Sequence, residues 1–257
     1  MVRGIYAAAS SMLTQMHRQD VFANNLANAS TAGYKRELTS SAAFPAVLVA
    51  CMGGGRSAGQ AAGLATSSVR LTGGAAVAPA GVDLKQGALV ATDRALDLAI
   101  DGEGFFVVAT AGGARLTRSG AFALDPTGII VDASGHALLG VDAATGQSGP
   151  IQVDGSDFVV ASDGTVMGAN KTLGRLRIEV PETVASLSRV GATLFEPDGL
   201  RPVATGYTIK QGFLEQANVN PVKELGGMMI GFRAFEASQK ALTAQDQSLQ
   251  WLIESAV

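Results

Sequence analysis

A chain of 257 residues is long enough to bury a sizeable core without disulfides or a structural metal. A net charge of −3 and a pI near 5.4, with 19 scattered Lys and Arg, exclude the concentrated basic surface that nucleic acid or an anionic membrane would require. One cysteine, Cys51, excludes an intramolecular disulfide and reads as a small hydrophobe, and no run of about 18 apolar residues could cross a membrane as a helix.

In chain order, Arg3 followed by Ile5 to Leu13 loosely suggests a signal peptide. Ser10 and Ser11 interrupt that run, however, and the helical period continues past His17, Arg18 and Asp20, so the N-terminus is read as retained structure. Spacing of three and four residues places Ile5, Ala9, Met12, Met16, Gln19, Ala23 and Leu26 on one stripe, six of the seven apolar, which predicts a coiled-coil-like seam. The helix is expected to run to Gly33, set as a left-handed glycine just beyond its end. Asn24, Asn25 and Asn28 crowd its last turns although asparagine is a mediocre helix former. Asn24, Asn28 and Thr31 fall at i, i+4 and i+7 and so share a face, where amides offer donors and acceptors to a partner.

Residues 37–80 read as a connector, rich in Gly, Ala and Ser from Cys51 to Ala80. Within it Gly55-Arg56-Ser57-Ala58-Gly59 matches the nucleophile elbow of a hydrolase, with Ser57 as the nucleophile and His136 downstream. The Gly-rich residues after Ser57 are poor helix formers and the chain lacks βαβ alternation, so connector is the preferred reading.

From 81 to 209 the period becomes two. Short apolar runs such as LDLAI (96 to 100), FFVVA (105 to 109) and DFVVA (157 to 161) are separated by turn dipeptides such as Gly112-Gly113 and Asp163-Gly164. Strands punctuated this way, with no amphipathic helices between them, predict an antiparallel all-β domain. Asp101-Gly102-Glu103-Gly104 is expected to be a hairpin turn between LDLAI and FFVVA rather than a nucleotide or calcium loop. The two histidines, His17 and His136, lack neighbours at metal-ligand spacing, so neither a metal nor a cofactor is expected.

Asn220-Pro221 then supplies a cap followed by proline at the first helical position. Leu225, Met228, Phe232, Phe235, Gln239, Leu242, Asp246, Leu249 and Ile253 continue the same three-four spacing over four heptads. The expected fold is α+β: a discontinuous coiled-coil-like domain of terminal helices (1–36 and 210–257), the connector, and the β domain (81–209). A two-stranded seam leaves each helix half exposed, which makes the pair marginal until neighbouring molecules complete it.

The stretch NNLANASTAGYKRE (24 to 37) resembles the N-terminal signature of the bacterial flagellar axial proteins, the rod and hook family. QGFLEQANVNPVKELGGMMIGFRAFEASQKALTAQDQSLQWLI (211 to 253) is similar to the closing helix of that family. ALDLAIDGEGFFVV (95 to 108) and LTRSGAFALDPTGIIVDASGHALLG (116 to 140) look like its β-domain signature. Residues 173 to 195 look most like the proximal-rod branch, with the distal-rod branch close behind. Gly226-Gly227 departs from the family, where helix-favouring residues are usual. The resemblance implies a structural, non-enzymatic subunit of the hollow periplasm-spanning shaft that transmits torque to the hook. It implies export without a cleaved leader through the flagellar export apparatus, and contact with copies of itself, other rod and hook subunits and the surrounding rings. The seam residues Ile5, Met12, Met16, Leu26, Leu225, Met228, Phe232, Phe235, Leu242, Leu249 and Ile253 are then expected to build the assembly. The polar candidates at its interfaces are Asn24, Asn25, Asn28, Thr31, Asn218 and Asn220. A secreted adhesin whose helices trimerise is the remaining alternative.

Overall fold

A computed structural model describes residues 2–43, 75–143, 146–153, 158–168, 171–182, 187–197, 199–202 and 206–255. Two helices bracket a β-rich middle: α1 spans Val2–Ala27 and α2 spans Pro221–Ser255. The chain divides into two compact units, one of residues 1–23, 39–80 and 222–257, the other of residues 24–38 and 81–221. Residues 24–38 and 210–221 therefore fold with the β body, where the sequence had assigned most of them to the helical domain.

In the first unit α1 and α2 run antiparallel, and hydroxyls, amides, glycines and the Phe22 ring meet between them. Ser11 and Ser238 hydroxyls meet at 3.3 Å, and Gly231 faces Gln15 and Gln19. The Phe22 ring lies so close to Gly227 that a Cβ there would sit 2.8 Å from Phe22 Cζ. One of the two glycines that depart from the family pattern thus makes room for an aromatic ring, while a Cβ on Gly226 would meet nothing within 4 Å. α2 starts at Pro221, as its fixed φ and missing N–H favour, and Glu224 in the first turn suits the positive end of the helix dipole.

α1 ends at Ala27, six residues before the expected Gly33. The Asn28 side-chain amide donates to both Asn24 O and Asn24 Oδ1, at 2.9 and 2.8 Å, and Ala29 N then bonds Leu26 O in a tighter turn. This is the competition between asparagine side chain and helical backbone that lowers its propensity. Gly33 does take the left-handed conformation, φ +69°, but in the loop beyond. The connector begins and ends in strands, β1 (Glu37–Ala43) and β2 (Ala75–Val82), which pair with each other. Cys51 and the Ser57 motif lie outside the described residues.

The β body is antiparallel at every described pairing. Beyond β3 (Leu89–Ala91) and β4 (Leu98–Gly102), its hub is β5 (Phe105–Thr110), hydrogen-bonded to β6 (Gly113–Thr117), to Ala137–Asp142 and to Ile178–Pro181. The run FFVV is continuously apolar because β5 is buried on both faces, as central strands are. Phe106 and Val108 enter a core with Leu98, Phe122 and Leu176, while Phe105 and Val107 pack with Leu116, Leu187 and Phe195. Edge-on ring pairs, Phe106–Phe122 at 5.3 Å and Phe105–Phe195 at 5.8 Å, cross each core. β5 and β6 close through the two-residue turn Ala111-Gly112. The chain does turn at Gly102 and Gly104, with φ of +111° and +129°, but β4 and β5 do not form the expected hairpin. β4 pairs instead with Tyr207–Gln211, and β3 with Phe213–Glu215, so long-range pairing overrides the local turn signal.

Candidate functional site

The opening asparagine-rich stretch seats against the β body through two buried polar centres. Asn25 is 0% exposed, and its amide bonds Tyr34 and Glu37 inside the chain. Oδ1 accepts from the Tyr34 hydroxyl at 3.0 Å and from Glu37 N at 2.9 Å, and Nδ2 donates to Glu37 O at 3.0 Å. An asparagine fits because one planar group must both donate and accept. Tyr34 is buried too, and the Arg189 guanidinium stacks on its ring at 4.4 Å while donating to Lys35 O.

The second centre is ionic. Glu215 Oε1 accepts from Lys35 Nζ at 2.6 Å and from Gly87 N at 2.9 Å, and Oε2 accepts from Arg118 Nη1 at 3.0 Å. All three side chains are buried. Lys35 also donates to the Leu84 and Lys85 carbonyls, and Arg118 to those of Ile100 and Gly102, with its guanidinium 5.4 Å from the Phe105 ring centroid. Burial pulls the Lys35 ammonium below its ordinary value, against the opposing pull of Glu215, and does the same to Arg118. Charges this deep persist only when paired and hydrogen-bonded.

Backbone and amide contacts bring the same three chain segments together. Gly33 N donates to Glu215 O at 2.7 Å. The Gly33 Cα lies so near the Arg118–Ser119 peptide that a Cβ would fall 2.3 Å from it. Asn218 accepts from Arg36 N at 2.6 Å and donates to the Asp83 and Lys85 carbonyls at 2.8 and 3.0 Å. Beside this clasp a cleft of about 570 Å³ is lined by Gln86, Glu103, Phe105, Arg118, Glu182 and Arg201, a mixture of both charges.

The six polar candidates therefore divide. Asn25 and Asn218 spend their amides inside the chain. Asn24, Asn28 and Thr31 form a hydrogen-bonded row nearer the surface, Thr31 Oγ1 donating to Asn28 Oδ1 at 3.3 Å, and Asn220 is exposed at the start of α2. Of the apolar seam, Met12, Leu26, Met228, Phe235 and Leu242 are half-buried, whereas Leu225, Met16 (50%), Phe232 (51%) and Ile253 (66%) are exposed. The side chains of Ile5 and Leu249 lie outside the described residues. Sequence reasoning missed Lys35, Arg118 and Glu215, which stand 97 and 180 residues apart and carry no local signal.

His136 closes a turn by pairing with Asp132 at 2.9 Å, and among the described residues no group of three or more His, Cys, Asp or Glu could hold a metal. No described helix is long and apolar enough to cross a membrane. What this arrangement can do is hold chain segments in place.

Comparison with known proteins assigns each region in turn. Residues 5–35 match the flagella basal body rod protein model, 99–193 the D1 domain of flagellar hook protein FlgE/F/G, and 210–254 the C-terminal model of the flagellar basal body rod FlgEFG proteins. The clasp is thus built where the first and last of these segments meet the β body. The flagellar basal-body rod protein FlgG of Bacillus subtilis is 32% identical, with 98% of each chain aligned. FlgF of Salmonella typhimurium is 31% identical over 96% of each, and FlhO, a hook-basal body complex protein of Bacillus subtilis, is 31% identical over 97% of this chain and 96% of its own. FlgG and FlgF are matched almost equally. Similarity that runs the full length of both partners and covers the terminal helices, the clasp and the β body alike makes this chain a member of the flagellar basal-body rod protein family.

Proposed function

We propose that the chain is a structural subunit of the flagellar basal-body rod, polymerising through its terminal helices into the hollow shaft that carries torque from motor to hook. The observation that carries this reading is the uncovered apolar surface of α1 and α2. Ser11, Gln15, Gln19 and Phe22 of α1 meet Ser238 and two glycines of α2, while Leu13, Met16, Leu225, Met229, Ile230, Phe232, Trp251 and Ile253 remain exposed. Covering one such side chain completely is worth about 1.5–3 kcal/mol, which several neighbours in a shaft would recover together. The coiled-coil-like seam is then formed between subunits rather than within one. Growth into an open shaft requires contacts between unlike surfaces, so the exposed stripe meets a different patch on the next copy.

The row Asn24, Asn28 and Thr31, with Asn220 at the head of α2, supplies polar contacts beside that seam. Asn25 and Asn218 serve the clasp and so act on assembly through the fold. Residues 5–35 match a rod segment, which supports retention of α1 and hence export by the flagellar apparatus without a cleaved leader. Other rod and hook subunits are the expected axial neighbours, with the surrounding rings outside, and residues 173 to 195 favour the proximal position. The family is structural, so the hydrolase reading of Ser57 is set aside. The test is deletion of residues 2 to 28 in the native host. Loss of a complete rod and of swimming is expected, and a deletion strain that still swims would refute the proposal.

A further inference from the structure

We infer that the Glu215 carboxylate makes the seating of residues 24–38 conditional on the C-terminal segment, so that the clasp closes only in a complete chain. The inference stands on the arithmetic of charge in the second centre. Lys35 arrives from the N-terminal segment and Arg118 from the loop after β6, and among the described residues Glu215, near the C-terminal end of the β body, is the carboxylate that pairs directly with both, while Asp83, Asp101 and Glu103 act on them from beyond ion-pair distance. All three side chains are nine-tenths or more buried. Lys35 reaches the carbonyls of Leu84 and Lys85, and Arg118 those of Ile100 and Gly102, but carbonyls carry no net charge, so direct ion pairing of both falls to Glu215.

Seating Lys35 without Glu215 would place a second cation beside Arg118 in a buried site, where unpaired charge is strongly destabilising. The same C-terminal stretch closes the rest of the clasp. Glu215 O receives Gly33 N, Glu215 Oε1 receives Gly87 N, and Asn218 Oδ1 receives Arg36 N. Residues 24–38 precede Glu215 by about 180 positions in synthesis and so emerge first. A partly made or truncated chain therefore holds them unseated, and the segment that leaves α1 takes its place only when the segment that enters α2 is present. This property belongs to the single molecule, so its failure is separable from failure of the rod assignment.

The test is amide hydrogen exchange on full-length monomer, read at Gly33, Arg36, Glu37 and Gly87. Glu215→Gln strands two cations and should speed exchange at these amides about a hundredfold or more, while Val107 and Val108 at the β5 centre stay protected. Lys35→Met leaves one cation against one carboxylate and should change exchange less than about tenfold. In the Glu215→Gln background the same Lys35→Met change should slow exchange, a reversal of sign that loss of packing alone does not produce. If Glu215→Gln fails to fold, folding of the double variant is the supporting result, and failure of both variants overturns the inference. Unchanged exchange in Glu215→Gln, or faster exchange from Lys35→Met in both backgrounds, would also overturn it.

Discussion

Asn25→Ala removes the amide that binds the end of α1 to the chain beyond it. The bonds to the Tyr34 hydroxyl, Glu37 N and Glu37 O are lost. Each is worth about 1 kcal/mol net, and each partner left without water in a buried site adds a desolvation cost, so the expected loss is roughly 3–5 kcal/mol. Against a typical total of about 5–15 kcal/mol this is a large fraction. Residues 24–38 belong to the same compact unit as the β body, so the loss should register in its unfolding. Urea titration followed by circular dichroism should move the midpoint down by about 1–2 M for an m-value near 2–3 kcal/mol/M. Tyr34→Phe, which removes one donor while Asn25 Oδ1 keeps Glu37 N, should cost about 1–2 kcal/mol. Asn28→Ala, whose bonds are local and exposed, should cost less than about 1 kcal/mol. An Asn25→Ala midpoint no lower than that of Asn28→Ala would refute the reasoning.

Gly33→Ala forces a Cβ to within 2.3 Å of the Arg118–Ser119 peptide at φ +69°, and should cost well beyond the roughly 1 kcal/mol of a left-handed alanine; an unchanged melting temperature would contradict this. Gly226→Ala should stabilise α2 by about 1 kcal/mol because nothing lies near its Cβ, whereas Gly227→Ala should destabilise by colliding with Phe22. Calorimetry showing the same sign for both would remove the role assigned to Gly227. Hydrogen bonds from Lys210 and Gln86 hold Asp101 below the ordinary carboxylate range, and Thr165 does the same for Asp163. Groups with depressed values stabilise above the ordinary range and lose that contribution as pH falls through the folded value, so melting temperature should drop below about pH 4. Asp101→Asn with Asp163→Asn should flatten that drop, and an unaltered slope would exclude these two carboxylates as its source. Replacing Asn24 and Asn28 together by Ala should lower rod yield more than monomer stability, and equal rod yield would remove them from the subunit interface.

How much of this was legible in the sequence depended on the range of the forces involved. FFVVA read directly as a strand, though burial of FFVV on both faces emerged only in the structure, and Asn220-Pro221 marked the start of α2 because capping is local. The asparagine cluster was visible, but its division of labour was not. Asn25 turns inward to Tyr34 and Glu37 while Asn24 and Asn28 bond each other, and only the tertiary path of residues 28–37 decides between them. That same local bonding ended α1 at Ala27 rather than near Gly33. The seam residues are apolar, yet periodicity cannot say whether a stripe faces its own partner helix or a neighbour. Between the helices Gly227 faces the Phe22 ring, and Gly231 faces Gln15 and Gln19. Lys35, Arg118 and Glu215 were illegible because a buried charge looks like a surface charge until the chain segments that desolvate it are brought together.

This chain is a structural subunit of the flagellar basal-body rod. The most direct measurement is electron microscopy of basal bodies purified from the native host and decorated with an antibody against the chain. Label is expected only on the rod, at a fixed level along its axis. Label absent from the rod, or basal bodies with a complete rod after the gene is removed, would contradict it.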